Sequence, residues 1–113
     1  MDAMNLIILF TGASFIIYGI NSFISKKMIL EFKRWHLEKQ RKIIGLFQLI
    51  CGFGILIGLT SSFILILSSI ILIIMMIVAI YVRIKIKDNI SEILPALAYL
   101  ILGVIILQNY FLT

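Results

Sequence analysis

The chain has 113 residues, of which 63% are hydrophobic, and its mean hydropathy of +1.21 lies well above that of soluble domains. A soluble fold could not hide so much apolar surface. The net charge of +5 does not point to nucleic acid, because the cations sit in two short stretches between apolar runs, and the single cysteine, Cys51, excludes an internal disulfide or a cysteine-based metal cluster.

The first apolar run, Met4 to Phe23, is about 20 residues, enough helix to cross a hydrocarbon core of roughly 30 Å. It does not read as a cleavable signal peptide: its n-region carries only Asp2 and no cation, and no small-x-small site precedes Lys26. Gly12, Gly19 and Ser22 line one side of it, where a second helix can approach closely.

The stretch Lys26 to Lys42 follows, holding seven of the ten basic residues. Met28, Phe32 and Trp35 fall at i, i+4 and i+7, an apolar stripe, with Glu31, Arg34 and Glu38 on a charged one. One reading is an amphipathic interfacial helix with Lys26, Lys27 and Trp35 at anionic headgroups. The sharper reading folds Glu31 and Arg34 over the bundle mouth onto Arg41 or Gln48, because a carboxylate at a bilayer edge calls for a partner. Glu38 is expected to be a solvated partner of Arg34 or Lys42, and His36 a solvated or headgroup-facing residue.

Ile43 to Leu59 sits at the lower length limit for a span. Gly45, Gln48 and Gly52 share one face, while Cys51, Gly54 and Gly58 lie opposite, which suits a central helix packed on two sides. Gly54 and Gly58 also form a GxxxG pattern, for which a seam between copies of the chain is the alternative to packing within the chain. Thr60, Ser61 and Ser62 make a short turn, which forces a helical hairpin with the third run, Phe63 to Val82. Within that run Ser68 and Ser69 can bond back to their own helix, and Met75 and Met76 read as core filler.

Arg83, Lys85 and Lys87 form the second basic patch, read as a helix end whose side chains snorkel toward water. Asp88, Asn89 and Ser91 are candidate N-caps for a fourth span, Ile93 to Leu112. Pro95 falls near its first turn, and Ala96, Tyr99 and Gly103 share a face. With all cations in loops 24–42 and 83–92, the positive-inside rule puts both loops in the cytoplasm and both termini outside. The expectation is an all-α, four-transmembrane-helix antiparallel bundle, one membrane domain over residues 1–113.

The series Lys27, Met28, Glu31, Phe32, Arg34, then Arg41, Gly45, Gln48 and Gly52, then Arg83, Lys85, Lys87 and Asp88, then Pro95 and Ala96 resembles the DoxX-like family of small four-helix membrane proteins. The resemblance implies a four-helix bundle. It also implies, through founding relatives, thiol or thiosulfate oxidation with quinone, and, through distant eukaryotic ones, assembly of other membrane proteins. His36 and Leu37 stand where a glycine-leucine turn and a proline are expected, which implies a different loop geometry. The lack of a dithiol argues against carrying over thiol oxidation.

Two functions follow. The first is a non-enzymatic protein of the cytoplasmic (inner) membrane of a bacterial type, binding a lipid-like molecule or a partner subunit through Glu31, Arg34, Arg41 and Gln48. No metal or cofactor is expected there, and a homo-oligomer is compatible with it. The second is a membrane subunit of a quinone-linked oxidoreductase, in which that cluster, with Tyr18, Tyr81 or Tyr99, holds a quinone.

Overall fold

The computed structural model describes residues 3–111, and over these the chain is helical with short connections. Five helices follow in order: α1 Ala3–Ile24, α2 Lys26–Arg34, α3 Arg41–Ile57, α4 Ser62–Lys85 and α5 Ile90–Phe111. The end expected for the fourth span, Leu112, and the residue Asp2 lie outside the described residues. The helices α1, α4 and α5 are each long and apolar enough to cross a membrane, with mean hydropathies of 1.9, 3.2 and 2.3.

Their surfaces support the same reading. Phe10, Ile17, Phe63, Ile74, Ile77 and Ile101 are all more than half exposed, and similar residues ring the molecule. In water such a surface would drive aggregation; against lipid it has no such cost. Backbone groups are satisfied inside the helices, as hydrocarbon requires.

Packing between the helices therefore rests on close fit rather than on exclusion of water. On α3, Gly45 and Gly52 face α1. A β-carbon added at Gly52 would stand 2.8 Å from the Gly12 carbonyl oxygen and from the Ile16 amide, and one at Gly19 would stand 3.0 Å from the Gly45 carbonyl oxygen. The opposite face of α3 meets α4. Gly54 packs on the Ser68 side chain, Gly58 on Leu65, and the buried Cys51 thiol donates to the Ser68 carbonyl at 3.4 Å. Both glycine faces, including the Gly54 and Gly58 pair, are thus occupied by helices of the same chain. Gly103 of α5 rests on Leu72 of α4, and Ser69 bonds back to the Leu65 carbonyl at 2.8 Å.

Ser25 separates α1 from α2. Its extended backbone ends one helix and its side chain accepts from the Met28 amide at the start of the next. Beyond α2 and α4 the chain makes the same turn twice. The amide of Leu37 donates to the Phe32 carbonyl at 2.8 Å and that of His36 to the Lys33 carbonyl at 3.0 Å. Likewise Asp88 donates to the Arg83 carbonyl at 2.9 Å and Lys87 to the Ile84 carbonyl at 3.0 Å. This paired pattern satisfies the last free carbonyls of a helix and needs a left-handed residue, usually glycine. Here His36 (φ 61°) and Lys87 (φ 59°) fill that place. The turn for which a glycine was expected therefore takes the left-handed backbone with a histidine.

Several expected boundaries shift. Helix α4 runs on through Lys85, so Arg83 belongs to the helix and not to a loop. Asn89 caps α5, its side chain accepting from the Glu92 amide at 3.2 Å and from the Ser91 hydroxyl at 2.8 Å. Pro95 then stands within the helix, beyond its first turn, where its missing N–H leaves the Ser91 carbonyl without the usual donor.

Candidate functional site

Helix α2 turns back over the end of the bundle, and a cavity of about 410 Å³ lies beneath it. All four long helices and α2 contribute to its wall. Its floor is aromatic: Phe15, Tyr18 and Tyr99 meet edge to face, with ring centroids 5.4 to 6.3 Å apart. Met75, Met76, Ala79 and Val82 of α4 and Ala96 of α5 form an apolar side. Lys27, Glu31, Gln48, Arg83 and Glu92 are the charged and amide residues of its lining, and Trp35 lines it as well.

The four residues expected to form one mouth divide into two groups. Arg34 forks onto Asp88, with N–O distances of 2.9 and 3.2 Å, and also pairs with Glu31 one turn earlier in α2. These hydrogen bonds, Asp88 first and Glu31 second, raise the Arg34 guanidinium above its ordinary pKa. Because Arg34 ends α2 and Asp88 follows α4, the fork fastens the two repeated turns together. Asp88 is the residue that sequence reasoning passed over, having offered it as a helix cap. Glu38 is exposed, and the carboxylate partners of Arg34 are Glu31 and Asp88.

The second group lies at the junction of α1 and α3. Arg41 donates to the carbonyls of Ser22 and Phe23 at the end of α1, and the Ser22 hydroxyl donates to the Gln48 side chain at 2.8 Å. A cation on helix-terminal carbonyls complements the helix dipole. Of the four residues, Glu31 and Gln48 line the cavity; Arg34 and Arg41 brace it from outside.

Two residues expected at the headgroups are instead turned into the protein. Trp35 is 9% exposed, packed edge to face on Phe32 at 5.1 Å. The Arg83 guanidinium lies over its ring, 4.5 Å from the centroid, and one of its nitrogens donates to the Ala79 carbonyl at 3.3 Å. Trp35 Nε1 and Arg83 Nε are both buried with no acceptor among the described residues. Buried donors are seldom left in this state, since each costs a lost hydrogen bond to water. Lys26, Lys85 and Lys87 are exposed, as is Tyr81, which lies outside the cavity. The inward turn of Trp35 and Arg83 has a faint sequence signal: Phe32 and Trp35 share the apolar stripe of α2, so whatever covers Phe32 also covers the indole.

No curated protein and no solved structure matches this chain. The model of the DoxX-like family matches residues 3–106, so nearly the whole bundle, including every residue that lines the cavity, falls within it. With its membrane-spanning helices, the chain belongs to the DoxX-like family of membrane proteins.

Proposed function

We propose that the protein holds a lipid-like molecule in the cavity beneath α2, and that it does so as an antiparallel bundle of four spans. Helix α3 is the fourth span: its 17 residues reach about 25 Å, and Arg41 at one end and the turn at Gly58 to Ser61 at the other complete the crossing. Neighbours along α1 and α3 run in opposite order, Gly12 with Gly52 against Gly19 with Gly45, as do those along α3 and α4, Gly54 with Ser68 against Gly58 with Leu65, which supports the antiparallel arrangement. The positive-inside rule orients loops 24–42 and 83–92 to the cytoplasm of a bacterial-type cell, with the cavity on that side and both termini outside.

The observation that carries the reading is the pairing of a mainly apolar cavity with two buried, unpartnered donors on residues of its lining, Trp35 and Arg83. Ligand sites have this character: apolar walls with a few convergent polar groups. A cavity of this size favours a small amphiphile over a partner subunit as its occupant.

The test is native mass spectrometry of the protein released from lipid nanodiscs. One retained amphiphile per chain is expected for the wild type, and its loss in Ala79→Trp, which fills the cavity. Equal retention by both would refute the reading. A quinone is the second candidate, supported by Tyr18 and Tyr99 at the floor beside Arg83. Its mark is an extracted chromophore that bleaches on reduction with borohydride.

A further inference from the structure

Taking the cavity as a lipid site, the nature of its polar edge narrows the ligand further. We infer that the ligand is a single-chain amphiphile with an anionic head, a carboxylate or a phosphate monoester, held by Arg83 and the indole N–H of Trp35.

The head follows from the donors. Trp35 is 9% exposed, and its indole N–H has no acceptor among the described residues. Arg83 carries a fixed positive charge, lies on that ring and keeps a second buried N–H without an acceptor. The carboxylates near enough to act on Arg83 are Asp88, Glu31 and Glu92. Asp88 and Glu31 are bound to Arg34, and Glu92 stands exposed at the start of α5 without an ion pair to Arg83. A half-buried cation with no ion pair among the described residues, beside a second free donor, matches an oxyanion that accepts from both. Hydrogen bonds to charged groups are the stronger kind. Lys27 also lines the cavity, as do the carboxylate residues Glu31 and Glu92.

The chain follows from the volume. A methylene takes about the room of a water in the liquid, roughly 30 Å³, so 410 Å³ accommodates one chain of about a dozen carbons. Met75, Met76 and Phe15 provide its apolar bed, with methionine able to adapt to a flexible chain.

The experiment titrates the protein in phosphatidylcholine nanodiscs with tetradecanoate, tetradecyl phosphate, tetradecanol and a diacyl phosphatidate. Trp35 is the only tryptophan, so its fluorescence reports on the site directly. Both single-chain anions are expected to bind about tenfold or more tighter than the alcohol, and the tighter of the two identifies the head. Arg83→Gln should abolish that preference. Trp35→Phe, followed by native mass spectrometry, keeps an aromatic face under Arg83 and should weaken both anions severalfold without affecting the alcohol. Equal binding of alcohol and anions would overturn the anionic head while leaving lipid binding intact. Phosphatidate binding as tightly as the single-chain phosphate would overturn the single chain. An anion preference untouched in both variants would overturn the assignment to Arg83 and Trp35, and failure of every probe to bind would remove the lipid site itself.

Discussion

Replacing Gly52 by alanine tests whether backbone contact sets the distance between α1 and α3. The new methyl would stand 2.8 Å from the Gly12 carbonyl oxygen, the Ile16 amide nitrogen and Ile16 Cγ1, where ordinary contact begins at 3.4 Å. Two of those three atoms are backbone, so the helices must separate by about half an ångström rather than let a side chain rotate away. Overpacking of this kind costs about 1 to 3 kcal/mol, and the better helix propensity of alanine returns about 1 kcal/mol. A net loss of up to about 2 kcal/mol is expected. Gly103→Ala is the internal control. There the methyl meets Leu72 Cδ2 and Ile73 Cγ1 at 2.6 and 3.1 Å, side-chain atoms and no backbone, so the net loss should be smaller than at Gly52. Thermal unfolding of both variants in one detergent gives the comparison. If Gly52→Ala melts at or above Gly103→Ala, backbone contact does not set the spacing and the account of α1 on α3 is wrong.

The repeated turns give a prediction of opposite sign. His36→Gly and Lys87→Gly should each stabilise the fold by up to about 1 kcal/mol, because glycine takes the left-handed backbone without the steric cost borne by other residues; a lower melting temperature for both would show that the side chains contribute more than the strain removes. At the clasp, Glu31→Ala should cost less than about 1 kcal/mol, since Arg34 is 41% exposed and keeps its fork on Asp88. Asp88→Ala, which removes the 10% exposed partner joining α2 to α4, should cost more and should loosen α2, read as faster hydrogen exchange at residues 26–34. Equal effects of the two would leave the clasp without support. Finally, the Cys51 thiol is buried between α3 and α4, so maleimide should label it only after denaturation; rapid labelling of the folded protein would contradict that packing.

Much of the site was hidden from the sequence for an identifiable reason. Trp35 and Arg83 carry the residue types that usually mark a membrane interface, and on an isolated helix each would reach for the headgroups. The fold turns them inward because α2 doubles back at Ser25 and brings Trp35, packed on Phe32, beneath the Arg83 guanidinium at the end of α4. The Arg34 and Asp88 fork joins residues 54 apart in the chain, a distance over which no local periodicity speaks. Conversely, Glu31 pairs with Arg34 one turn along the same helix, a partner that the i, i+3 spacing suffices to name. Arg41 was grouped with Glu31 on the strength of charge, but the free carbonyls at the end of α1 are closer and hold it.

By itself the sequence determined that the chain is a membrane protein of apolar helices and that α3 offers close approach on two sides. Length, hydropathy and the fixed 100° step of a helix are local properties, and they suffice for that. Which helix meets which glycine face, where α2 folds and what its cations touch were decided only by the tertiary structure. In a chain apolar on nearly every side, hydrophobicity does not distinguish a face turned to lipid from one turned to protein. The choice is left to shape, as at Gly52 against Gly12, and to the few buried polar groups that must find one another.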